Sequence, residues 1–252
     1  APAAQARGPR LFPETPLHLG GLKAVDLALE LEAGELRLPR LAADQAGLSV
    51  NLAGGRLETV FRQANVGPGR LTGRLVLEAL SGSGAALALA LEGKGLDVDE
   101  LLRDLGQPAA VSGDIDVSLD VRGRGASTAG IMASLDGRAT LLMGRGTLDS
   151  GALRLVGADL ATALQRLLNP VRDTSGDTAV NCFVCRLESR GGQVAVEALF
   201  WDTASMTVFG DGGLDLRTER LDLGLRPVPK RGIANFSLSL GELTQPFRLG
   251  GT

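Results

Sequence analysis

The chain has 252 residues, 44% of them hydrophobic, a net charge of −3 and only 3% aromatic residues, with no tyrosine. That is enough for one large or two modest domains and for a substantial core, built from Leu, Val and Ala. The acidic balance and the shortage of aromatics exclude a basic patch that grips a phosphate backbone and the stacking platforms that hold single strands or sugar rings, so no nucleic-acid partner is expected.

Residues 1–16 are polar and proline-rich, with Pro9, Pro13 and Pro16, and read as a linker. Residues 17–252 read as one β domain with a weak subdivision near residue 106. No secretory signal precedes it, and no apolar run approaches the ~20 residues that span a bilayer. The first strand has Val25, Leu27, Leu29 and Leu31 on one face and Asp26, Glu30 and Glu32 on the other. That is the period of a half-buried strand. A turn is predicted at Ala33-Gly34, followed by Leu36 and Leu38 and then by Leu48, Val50 and Leu52. Gly54-Gly55 and Gly67-Pro68-Gly69 mark turns on either side of a strand through Leu57 to Phe61. Leu71, Leu75 and Leu77 share a face, and beyond Gly82-Ser83-Gly84 so do Leu87, Leu89 and Leu91.

Three short helices interrupt the pattern. Asp97 and Glu100 form an analogue of a capping box that opens a helix to Leu105, stopped by Gly106 before Pro108. Ser127 or Thr128 caps a second through about Leu135, ended by Gly137. A third is expected over Asp159–Leu168, with Leu160, Leu164, Leu167 and Leu168 in one stripe. Between the first two, Ile115, Val117, Leu119 and Val121 alternate with Asp114, Asp116, Ser118 and Asp120. Calcium loops gather carboxylates from a turn, so this acidic row reads as the solvated face of a strand. Gly123-Arg124-Gly125 reads as a turn. From Gly176 to Lys230 short alternating runs return, with turns expected at Arg190-Gly191-Gly192 and Gly210-Asp211-Gly212-Gly213. Leu221, Leu223 and Leu225 share a face there. The last strands run through Phe236, Leu238 and Leu240 and then Phe247 and Leu249.

No catalytic constellation emerges. His18 is the only histidine, and no nucleophile elbow, P-loop or dinucleotide fingerprint is present. The carboxylates occupy alternating exposed positions without neighbours to tune them. No enzyme activity, cofactor or metal is implied. Cys182 and Cys185 form a CxxC, but within NCFVCRL, a strand pattern. Residues three apart on a strand point to opposite faces, so two independent cysteines are expected.

Asn181-Cys182 opening a strand, Gly192 in the next turn, Asp202-Thr203, Gly210, Gly213-Leu214-Asp215-Leu216, Leu221-Asp222-Leu223, Pro227 and Pro229-Lys230 occur in an order and spacing that resembles the C-terminal region of the AsmA family of bacterial envelope proteins. The resemblance continues upstream through Phe12-Pro13 and Gly20-Gly21-Leu22, and Cys185 departs from it. It implies a mainly β fold, a long twisted antiparallel sheet forming a groove or flattened barrel with about three capping helices. It also implies a longer protein, held in the inner membrane by an N-terminal helix missing from this chain and reaching into the periplasm. Its work would be lipid transport between membranes and outer-membrane biogenesis, with phospholipid or another acyl lipid and other envelope proteins as partners. The groove candidates are then Val25, Leu27, Leu29, Leu31, Leu75, Leu77, Leu87, Leu89, Leu91, Ile115, Val117, Leu119, Leu221, Leu223 and Leu225. The alternation is the same in a scaffold factor whose sheet closes over its own core and binds protein partners, so both readings stand at this point.

Overall fold

The computed structural model describes residues 10–38, 41–80, 84–104, 106–149, 178–204, 206–230 and 247–251. The chain folds as one antiparallel sheet of twelve strands in sequence order, each paired with its neighbours in the chain. The strands are β1 (Leu27–Leu38), β2 (Leu41–Ala53), β3 (Arg56–Val66), β4 (Gly69–Ala79), β5 (Ala85–Asp97) and β6 (Val111–Gly125). They continue with β7 (Asp136–Leu148), β8 (Thr178–Arg190), β9 (Gln193–Thr203), β10 (Met206–Asp215), β11 (Arg220–Pro229) and β12 (Phe247–Gly251). The sheet is open: β1 and β12 are its edges. Helix α1 (Val98–Asp104) joins β5 to β6, and α2 (Thr128–Ala133) joins β6 to β7. The two helices therefore mark opposite ends of the strands. The expected mainly β fold with short helices is what forms. The third expected helix, Asp159–Leu168, and the strand through Phe236, Leu238 and Leu240 lie outside the described residues.

Both helices start where capping chemistry places them. The Asp97 carboxylate accepts the Glu100 N–H at 3.0 Å, and the Ser127 hydroxyl accepts that of Gly130 at 3.1 Å. Glycine is what the sequence reading handles worst. The turns at Gly54-Gly55, Gly67-Pro68 and Gly191-Gly192 form as expected. Ala33-Gly34 is no turn, because β1 runs on to Leu38. Instead the alternation changes phase there, opposite Gln45 at a φ of 49°, so that Leu36 joins Ala43 and Ala46 in the core. Gly123-Arg124-Gly125 is also strand. A Cβ on Gly125 would lie 2.4 Å from the Gly130 carbonyl carbon, so this glycine lets α2 sit on the sheet. Gly210 to Gly213 belongs to β10 and carries a bulge, and the chain turns later, at 216–219. Gly212 has a φ of 128° and lies so close to the Asp222 carbonyl that no side chain fits.

Two buried clusters occupy the α1 end of one face. Ala43, Ala46, Ala64, Val66 and Leu96 pack with Leu71 and with Leu101 of α1. Met143, Leu148, Val180, Met206, Val208 and Leu225 form the other, with Ile115 packed against both. Leu148 is 1% exposed, whereas Leu29, on the apolar face at the β1 edge, is 46% exposed. Leu148→Ala should therefore cost about 2–5 kcal/mol, and Leu29→Ala less than about 1 kcal/mol. Denaturant unfolding of both variants measures the difference.

Candidate functional site

The register shows where the candidate residues stand. Leu27, Leu29 and Leu31 oppose Leu52, Val50 and Leu48. Leu75 and Leu77 oppose Leu89 and Leu87, and Leu91 opposes Leu119. From Val117 the same row passes through Leu141, Cys185, Leu199 and Gly210 to Leu225. Leu221, Leu223, Ile115 and the other members thus share one face of one continuous sheet. Val25 precedes β1 at the flank of that face.

Their burial is uneven. Of the fifteen, only Leu225 is buried, at 7% exposure. Val25, Leu27, Leu29 and Leu221 are exposed, at 57%, 48%, 46% and 39%. The other ten are intermediate. Among the described residues no second sheet covers this face, and the elements seated on it are the helices. Leu101 of α1 packs into the core at one end. At the other, Ile131 and Leu135 lie over Gly123, a position of the same face. The apolar row is packed at the α1 end, capped by α2 at the other and open to solvent between.

The opposite face is ionic. Arg62 pairs with Glu30 and Glu32, Arg74 with Glu58, and Arg56 with Glu58 and Glu78. In the acidic row of β6, Asp116 accepts the Gly95 N–H at 2.9 Å and pairs with Lys94 at 3.1 Å. These bonds hold its carboxyl below the usual range, the Gly95 N–H most of all. Among the described residues no group of His, Cys, Asp or Glu is arranged to hold a metal ion.

The cysteines are both free. Cys182 pairs with Asp202 and Cys185 with Leu199, with Phe183 and Val184 in regular register between them, so the two thiols are on opposite faces. Burial pushes the Cys185 thiol up, away from the reactive thiolate. Reduced and oxidised protein should unfold at the same denaturant midpoint, and a shift on adding reductant would reveal a bridge that this register forbids.

One polar knot has no role assigned from the sequence, although Asn181, Asp202, Thr203 and Lys230 in it are among the residues that carry the resemblance. At the α1 end of β8–β11, Asp202 accepts from Lys230 Nζ at 2.7 Å, Thr207 Oγ1 at 2.6 Å and Asn181 Nδ2 at 2.8 Å. Lys230 and Asn181 also donate to the Thr203 carbonyl, at 2.7 and 3.1 Å. Four strand ends are tied by one carboxylate. Lys230, then Thr207 and Asn181, lower the Asp202 carboxyl from 3.8 to about 2. With the folded value depressed, its stabilisation is complete above the unfolded value of 3.8 and is lost as pH falls towards 2. Lys230 is partly exposed, which screens the pair. Asp202→Asn should then remove on the order of 1–2 kcal/mol at pH 7 and leave stability nearly unchanged near pH 2, as acid titration of the unfolding midpoint would read.

The class defined by these observations is an open antiparallel β-meander, one face charged and the other apolar and half covered. The AsmA family model matches residues 4–199, most of the chain, and the protein belongs to the AsmA family. Membership supports an envelope-associated protein, in a family generally of non-enzymatic envelope and transport proteins. The matched stretch ends before Asp202, so part of the knot lies beyond it. No curated protein and no solved structure matches. No helix among the described residues is long and apolar enough to cross a membrane.

Proposed function

We propose that the apolar face is a groove that holds the acyl chains of a phospholipid or similar lipid, and that the protein serves lipid transport between membranes and outer-membrane biogenesis. In this reading it works in the periplasm, attached to the inner membrane, beside other envelope proteins. The carrying observation is the exposure of the leucine rows: fourteen of fifteen members remain accessible on a face that no other described strand covers. An acyl chain is the partner such a face fits. It needs no directional contact, and each buried CH₂ contributes about 0.8 kcal/mol. The rows also lack inward charge, which would resist a hydrocarbon.

Leu89→Asp and Leu119→Asp separate a groove from a closed core. In a groove open to water the new carboxylate keeps part of its hydration, so both variants should stay folded, with melting temperatures within a few degrees of wild type, and lose crosslinking to a photoreactive phospholipid. In a sealed core the unpaired charge would cost several kcal/mol. Unfolding of both variants, together with no lipid capture by the wild type, would replace the groove with a scaffold whose apolar face is purely structural.

A further inference from the structure

The segment ahead of β1 crosses the whole α2 end of the sheet. It begins on the β10–β11 turn. There Glu219, at a φ of 58°, accepts the backbone N–H groups of Leu11 at 2.8 Å and Phe12 at 3.0 Å. Arg10 pairs with the same carboxylate at 3.5 Å and donates to the Arg217 carbonyl at 2.8 Å. The segment then runs beside α2. Pro13 O accepts the Ala129 N–H at 3.0 Å, Leu17 N–H donates to Ala126 O at 2.8 Å, and Pro16 bridges to Ser127. It ends as a 3-10 turn, Gly20–Lys23, against β2, β3 and β4, where Lys23 Nζ donates to the Leu80 carbonyl at 3.3 Å.

The cap is anchored from the sheet side as well. Arg217, next to the latch, donates to the Gly191 carbonyl at 2.7 Å and to that of Ala133, at the end of α2, at 3.3 Å. One strap thus links the β10–β11 turn, α2 on the apolar face and the β2–β4 flank.

Fastened at the β10–β11 turn, at α2 and at the β2–β4 flank, the strap limits how far this end of the sheet can spread. Its grip on the β10–β11 turn is one half-buried carboxylate held by two backbone amides and an exposed arginine. The bonds to α2 and to Leu80 are single and spaced along the segment.

We infer that residues 10–23 gate the α2 end of the groove, with Glu219 as the latch. This rests on the acyl-chain reading of the apolar face. Latched, the strap and α2 shut that end, and hydrocarbon has access from the open middle of the face and its edges. Unlatched, the end widens and a chain can leave along the strands. Glu219 is a positioning residue in this scheme, since it touches strap and not lipid.

The test uses the full 252-residue chain, loaded with pyrene-labelled phosphatidylethanolamine and mixed with unlabelled phosphatidylethanolamine–phosphatidylglycerol vesicles. Glu219→Ala removes the acceptor. Leu11→Pro removes one donor from the strap itself and leaves β11 untouched. Glu35→Ala, which removes an exposed pair with Arg37 at the other end of β1 and outside the strap, is the control. In both latch variants, transfer of the labelled lipid should accelerate about fivefold or more. The amount bound should stay constant, and tryptic cleavage after Lys23, which neither substitution touches, should accelerate in parallel. Faster cleavage with an unchanged transfer rate overturns the gate and leaves the groove standing. No lipid uptake by the wild type overturns the groove and the gate with it. Collapse of the melting temperature in both variants overturns the gate by making the strap a structural member of the fold.

Discussion

The antiparallel ladder is what everything else in this molecule depends on. Each strand bonds only to its neighbours in the chain, and side chains alternate with a period of two. A slip of one residue anywhere would move every later leucine to the charged face. The register avoids this by placing its irregularities where they bend the sheet. Shifts between Phe61 and Ala64, Gly93 and Leu96, Gly113 and Ile115, and Val180 and Cys182 lie towards the α1 end, while those between Arg186 and Leu187 and between Gly210 and Gly213 lie further along β8 and β10. Bulges bend and twist a strand locally. The buried residues Ala64, Leu96 and Val180 and the partly buried Ile115 sit beside them, so that end becomes core while the regular middle of the same strands stays open.

The two faces are then held apart by chemistry as well as by period. The ion pairs of Arg56, Arg62 and Arg74 cross neighbouring strands on the outside, with both partners partly or fully exposed. Such pairs contribute little to stability. Their effect is to keep one face hydrated while the other stays apolar. The Asp202 knot differs, because one carboxylate with three side-chain donors fastens four strands where the sheet would otherwise fray. Near it Trp201 stands edge to face with Phe183 at 6.3 Å, its indole nitrogen buried without an acceptor among the described residues. The only tryptophan of the chain thus reports directly on the packing of the closed end.

Alternation was enough to read the strands, the shared face and the class of fold, because a half-exposed strand writes its period directly into the sequence. Caps were legible for the same local reason, as Asp97 and Ser127 show. Glycine was ambiguous. The motif that makes a turn at Gly54-Gly55 makes a seat for a helix at Gly125 and a bulge at Gly212, and only the partner surface distinguishes them. Long-range contacts were not legible. Asn181, Asp202 and Lys230 were visible as a pattern without a reason to meet, and the polar, proline-rich start of the chain does not show that Leu11 and Phe12 find their hydrogen-bond acceptor on Glu219, more than two hundred positions away. Burial within the leucine rows was also hidden, since the same alternation serves Leu29 in solvent and Leu225 in the core.

The meander has a consequence for how the protein comes to exist. With every strand pairing to the one just before it, loop closure spans a hairpin or a short helical connection at most steps, the exceptions being the 29 residues between β7 and β8 and the 17 between β11 and β12. The sheet can zip from any hairpin and grow strand by strand, as in repeat proteins whose stability sums over nearest neighbours. The same arithmetic makes length adjustable over evolution. A hairpin inserted between two strands adds two rungs to the ladder, leaves the phase of both faces intact and lengthens the apolar surface without rewiring any existing contact.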